Sequence, residues 1–358
     1  MNPGSFRICT LFGIRVNAHW SVAVVALLLG ASLANSIGWV VGSLGVVAFL
    51  ASILVHEFSH ALTARRFGVG TESIQLWALG GIARLDRESP NARAEGWIAA
   101  AGPLASMVLG GAGVAAWRLL ADGSTLNAFH GLLGWLGLIN VFLAVFNLLP
   151  GSPLDGGRIL KAVRWSIHGD RHRAAREAGR VGVVLGWMIT AIGFGLILRS
   201  QSGIWLMITG LFIMMNAQAE TASATISGRL AGVKVRDLTW FGVAAAGEDM
   251  DADSMLWQRG RLGAAGGVAV TDETGTMQGI VLEDELWAIP ADQRPWVMLT
   301  QLMVPVERFA RASLDENLAD ILPRIDLRRP VVTVWQDDRL VGMVPPKRLR
   351  EQLRDAAG

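Results

Sequence analysis

His56-Glu57-Phe58-Ser59-His60 sets two imidazoles four residues apart, with a carboxylic acid directly after the first. On a helix the two histidines share a face, and two imidazoles on one face can hold a zinc ion. Glu57 then stands beside them, placed to take a proton from an attacking water. The same pattern can arise by chance on an ordinary amphipathic helix. Here it closes an uncharged, mostly apolar run from Trp39 to Val55. Such a run offers no polar face, and ionisable groups in an apolar run are costly unless they are used.

Two histidines leave a catalytic zinc site incomplete, because such sites take three protein ligands and keep one position for water. Cys9 is the sole cysteine, so a four-cysteine site and an intrachain disulfide are both excluded. The third ligand must be Asp, Glu or His near the inner end of another apolar run. Asp155 meets that requirement. It lies in Asn147-Leu148-Leu149-Pro150-Gly151-Ser152-Pro153-Leu154-Asp155-Gly156-Gly157-Arg158. The prolines break a helix there, and the glycines permit a tight turn that would aim the carboxylate back at the metal. The competing role for Asp155 is an Asx turn capping the next helix.

The elements that must position these groups are membrane spans. The 358 residues are 52% hydrophobic and 17% charged, too apolar for an ordinary soluble protein. The net charge of +2 suggests no nucleic-acid partner. Six apolar runs read as spans: 18–34, 39–62, 97–121, 131–149, 181–198 and 204–219. Many of the fourteen tryptophans stand near their ends, as interfacial anchors do. The first run, after Arg7 and Arg15, also has the make-up of a cleavable signal peptide, but the spans that follow at once favour an anchor. With the N-terminus inside, fourteen basic residues fall on the inner side, against Arg118 and Arg199 outside. That bias predicts both termini in the cytoplasm and the histidine pair near the inner end of the second span.

Ser73 to Leu85, on the inner side, reads as two short strands around Gly80-Gly81. A hairpin beside a metal site can pair its edge with an extended peptide. Residues 230–358 are charged and mixed, and they form a soluble module with an internal repeat. Val235-Arg236-Asp237-Leu238 is echoed 64 residues later, and Gly279-Ile280-Val281 is echoed 63 residues later. Two βαββα-like units, 230–288 and 296–358, therefore follow a membrane domain of residues 1–222.

H-E-F-S-H in the second run, and N-L-L-P-G-S-P-L-D-G-G after the fourth, resemble the two signatures of the site-2 proteases. These are zinc metalloproteases that cut peptide bonds within the membrane. The resemblance covers residues 10–220, and Ala101-Gly102-Pro103-Leu104 fits the family's third span. It implies one zinc ion per chain held by His56, His60 and Asp155, with Glu57 as general base. It implies that Asn147 binds substrate or steadies the oxyanion, and that Gly80 and Gly81 belong to a membrane-associated hairpin near substrate. The PDZ-like insertion that many members carry is absent from the sequence. The repeats resemble a pair of cystathionine-beta-synthase-type (CBS) domains, which a subgroup of site-2 proteases carries. The fold expected is therefore an α-helical polytopic membrane domain followed by a soluble α/β tandem CBS pair. Neither copy keeps the Thr/Ser of the nucleotide-binding CBS pattern, so the pair is expected to dimerise the chain or gate substrate. The substrates implied are single-span regulatory proteins, such as anti-sigma factors, in a bacterial cell membrane. A transporter gated by its CBS pair is the rival reading. The H-E-x-x-H spacing fits hydrolysis better, and no pair of spans shows internal symmetry.

Overall fold

The computed structural model describes residues 4–78, 80–120, 127–200, 203–258, 266–326 and 330–357. Two compact units meet between Thr221 and Ala222.

Among the described residues the first unit holds six helices and the start of a seventh: α1 (Ser21–Ile37), α2 (Trp39–Arg66), α3 (Ala92–Leu119), α4 (Asn127–Asn147), α5 (Asp155–His168), α6 (Arg171–Ser200) and α7 (Ile204–Leu230), the last of which crosses the boundary. Of these, α2, α3, α4 and α6 are long and apolar enough to cross a bilayer. The apolar α1 has only 17 residues, and α7 turns polar from Asn216 onward. The run expected at 18–34 starts late, because Ala18 and His19 belong to a strand. The end of the 97–121 run lies outside the described residues. Small residues let helix backbones approach one another. A Cβ at Gly110 would strike Val141, and one at Gly137 would strike Val114. This is how α3 and α4 make their broad contact.

Four strands form a sheet in the order β1 (Ser5–Leu11), β2 (Ile14–His19), β3 (Thr71–Trp77), β4 (Gly80–Leu85). The outer pairs are antiparallel, and β2 runs parallel to β3 with Val16 opposite Ile74. Alternation buries Ile14, Val16, Ile74 and Leu76 against Phe58 and Ala61 of α2. The sheet thus grips the turn of α2 that carries the H-E-x-x-H residues. Arg65 adds a hydrogen bond from its guanidinium to the Phe12 carbonyl, 2.8 Å. The sequence suggested a turn at Gly80-Gly81. These glycines instead open β4, with Gly80 opposite Trp77. Gly80 takes a φ of 134°, which a side chain would resist.

Between α4 and α5 the chain makes the proline-broken turn. The Ser152 amide donates to the Ala178 carbonyl of α6 at 3.3 Å. Gly182 of α6 comes so close that a Cβ there would strike Ser152. Gly156 and Gly157 are helical rather than left-handed. Their absent side chains admit the carbonyls of Leu148 and Leu149 and the backbone of Gly151 and Ser152. The glycines therefore serve close packing, not the turn conformation expected from the sequence.

The second unit is built from two similar halves. The first runs α8 (Val235–Leu238), β5 (Trp240–Phe241), β6 (Ala244–Gly247), α9 (Ala252–Trp257), β7 (Gly267–Thr271), β8 (Met277–Leu282) and α10 (Glu283–Trp287). The second runs α11 (Leu299–Leu302), β9 (Val304–Pro305), β10 (Ala310–Ala312), α12 (Leu318–Ile321), β11 (Val332–Gln336), β12 (Arg339–Val344) and α13 (Pro346–Ala357). The halves exchange a strand, giving sheets β6-β7-β8-β9 and β10-β11-β12-β5. Asp251 caps α9 by accepting from the Ser254 amide and hydroxyl, at 2.8 and 2.6 Å. The Ser254 hydroxyl, with that amide, holds the Asp251 carboxyl below its ordinary range.

Candidate metal centre

His56 and His60 lie one turn apart on α2, and both are buried. Asp155 is the first residue of α5, with Leu154 at the N-cap position. Their donor atoms converge. His56 Nε2 is 3.2 Å from His60 Nε2, and Asp155 Oδ2 is 3.2 Å from each. A tetrahedral ion with bonds of about 2.0–2.1 Å holds its ligands about 3.3 Å apart. The triangle therefore has zinc-site dimensions, and among the described residues this trio alone forms such a group.

The outer nitrogens show how the triangle is held. His60 Nδ1 donates to the Ile98 carbonyl at 2.7 Å, which leaves its Nε2 lone pair for a metal. His56 Nδ1 bonds the Ser106 hydroxyl at 2.9 Å. Facing imidazole lone pairs and a carboxylate oxygen repel one another unless a cation lies between them, so the donor set fits a divalent ion. Both supports come from α3, with Gly102 between them. Ile98, Gly102 and Ser106 follow at four-residue spacing and share one stripe of the helix. A Cβ at Gly102 would collide with both Nε2 atoms. Pro103 lacks the amide that would bind the Ala99 carbonyl, next to the Ile98 carbonyl that His60 uses.

Glu57 is buried beside the triangle and outside it, facing a cavity of about 590 Å³. Gly81 of the hairpin packs so closely on Glu57 that a Cβ would strike its side chain. Gly80, Gly81, Asn147 and Asp155 line the same cavity, which Trp77, Phe49 and Leu143 make largely apolar. Every site residue expected from the sequence thus reaches one chamber. Asn147 spends its amide nitrogen on the Leu143 carbonyl of its own helix, 3.0 Å away, and keeps its side-chain oxygen for other partners.

Sequence reasoning missed Ser106, the Ile98 carbonyl and Glu95. Glu95 is buried in the first turn of α3. It accepts from Arg158 Nε at 3.1 Å and from the Ser89 hydroxyl, with Lys161 Nζ 3.8 Å away. This ion pair ties the turn before Ile98 to the turn that begins with Asp155. The only sequence signal was an acid two residues before a proline-containing apolar run.

Ser106→Ala is expected to release the His56 ring and weaken zinc affinity by about 10- to 100-fold. Competition with a chromophoric chelator measures it, and unchanged affinity would remove Ser106 from the site.

A family model described as "Peptidase family M50" matches residues 44–129 and 119–192. The "Putative zinc metalloprotease Rip3" of Mycobacterium tuberculosis is 33% identical over 350 residues, covering 93% of this chain and 89% of that protein. The solved "Site-2 Protease from Methanocaldococcus jannaschii" is 30% identical and covers 61% of this chain and 95% of that one, with a TM-score of 0.46. A solved CBS domain of the bacterial CNNM/CorC family Mg2+ transporter is 14% identical over 46% of this chain and 93% of that one, with a TM-score of 0.29. With relatedness running nearly end to end, the chain belongs to peptidase family M50, the site-2 proteases, and is a multi-pass intramembrane zinc metalloprotease.

Proposed function

We propose that this protease hydrolyses peptide bonds inside the membrane-spanning segments of single-span regulatory proteins, anti-sigma factors among them. It does so with one zinc ion per chain, from a bacterial cell membrane that it crosses six times with both termini in the cytoplasm. The observation that carries the reading is a three-donor triangle, 3.2 Å on each side, next to a buried acid in a chamber walled by an outer β-strand.

His56, His60 and Asp155 would hold the ion; the Ile98 carbonyl keeps the His60 ring in the ligating tautomer, and the Ser106 hydroxyl holds the His56 ring in place. When bound, zinc supplies Lewis acidity toward a carbonyl and lowers the pKa of water. Glu57 takes a proton from the attacking water and delivers it to the departing nitrogen. A helical substrate hides its carbonyls in hydrogen bonds, so it must unwind before attack. Among the described residues β4 is the last strand of its sheet, and its outer edge can pair with the unwound segment. The apolar walls accept the substrate's side chains, and the Asn147 side-chain oxygen offers an acceptor to its backbone. The second unit serves as a dimer contact or a gate.

Glu57→Gln in the native membrane tests the substrate class. Crosslinking followed by mass spectrometry should enrich single-span proteins over a His56→Ala/His60→Ala control. Equal recovery from both would defeat the proposal.

A further inference from the structure

Arg158 lies on α5, one turn after Asp155, and lines the same cavity as Glu57 and Asp155. It is the one Arg or Lys among the described residues lining that cavity. Its Nε donates to Glu95 Oε1 at 3.1 Å, and no described residue engages its two terminal nitrogens. The side chain keeps 29% of its surface exposed, against 6% for Glu95. A guanidinium pinned by Nε to a buried carboxylate has a fixed plane, and its remaining donors form a rigid fork. Here the two terminal donors make no hydrogen bond to a described residue, and Arg158 lines the cavity.

The charge balance of hydrolysis gives the fork a task. The peptide C–N bond breaks and a C–O bond to the water oxygen forms. One water proton passes through Glu57 to the leaving nitrogen. The second is released when the new carboxyl group ionises. A carboxylate then sits in a chamber that already contains Glu57 and Asp155, and like charges at close range in an apolar site repel strongly. We propose that Arg158 is a substrate-contacting residue that holds negative charge on the acyl side of the scissile bond: on the carbonyl oxygen during attack, and on the carboxylate of the N-terminal fragment afterwards. This rests on the proteolytic reading of the chamber and adds to it the residue that faces the acyl product.

The test exploits the difference between one charged head and two faces. In Arg158→Lys the single ammonium is claimed by Glu95, so the ion pair persists and the fork is lost. Zinc-loaded full-length protein in nanodiscs is titrated with a fluorescent apolar nonapeptide bearing a free C-terminal carboxylate, and with its C-terminal amide. Wild type should prefer the carboxylate, and in Arg158→Lys the carboxylate-to-amide affinity ratio should fall about tenfold, the worth of a charge-assisted hydrogen bond. The zinc content should stay at that of wild type. Glu95→Gln/Arg158→Gln removes both charges without leaving either one buried alone, and should show the same fall. Repeating the titration on chelator-stripped protein separates the guanidinium's share from the metal's. A ratio within twofold of wild type, in either variant with full zinc content, would overturn the proposal. Failure of the proteolytic reading would appear elsewhere, as no cleavage of a transmembrane peptide by the zinc-loaded wild type.

Discussion

Glu57→Gln should lower the cleavage rate of a quenched-fluorescent transmembrane peptide by about a thousandfold or more while zinc content stays at that of wild type. A positioned general base contributes about 10²–10⁴-fold, and Glu57 is also placed to return the proton to the leaving nitrogen. The structure separates the two functions cleanly. The trio whose donor atoms converge closely enough to hold a metal is His56, His60 and Asp155, and Glu57 lies beside it without belonging to it. Glutamine matches glutamate in shape, so the contact with Gly81 is preserved. Loss of zinc together with activity would make Glu57 a structural support of the site. Retained activity would assign the proton transfer to another group.

Gly102→Ala should empty the site. By helix propensity alone the change is favourable, since glycine inside a helix costs about 1 kcal/mol relative to alanine. Sterics oppose it. The new methyl would sit on both Nε2 atoms, and the Ile98 and Ser106 bonds hold the imidazoles against retreat. The expected result is at least about a hundredfold weaker zinc binding and loss of cleavage, with helix content by circular dichroism equal to wild type or higher. Full zinc occupancy in Gly102→Ala would mean that α2 and α3 separate easily, and that the stripe on α3 does not support the site.

The chemistry was legible in the sequence because it is carried by side chains at helical spacing. His56 and His60 announce a shared face, and Asp155 is an acid at a break between apolar runs. What surrounds them was not legible. Ile98 acts through a backbone carbonyl, which no residue type advertises. Ser106 is one serine among several until α3 is laid against α2. Residues 5–17 read only as a basic stretch ahead of the first span, and Ala18 and His19 as its start. Their hairpin is revealed only by β2 pairing with β3, more than fifty residues away, and such non-local pairing leaves little local pattern. The exchanged strands β5 and β9 have two residues each, so partners rather than propensity fix them. In the C-terminal module, β7, β8 and β12 are short, mostly apolar strands with largely buried residues, of the kind a short apolar run suggests.

The central claim is that two imidazoles of α2 and the first carboxylate of α5 hold one metal ion between them. Zinc stoichiometry and zinc K-edge absorption on the purified full-length protein test it most directly, in wild type and in Asp155→Ala. The account predicts one zinc per chain, a nitrogen and oxygen shell at about 2.0–2.1 Å with imidazole scattering, and no sulfur at about 2.3 Å. In Asp155→Ala the metal should be lost, or retained with one fewer protein oxygen. An unchanged spectrum and stoichiometry in Asp155→Ala would contradict it.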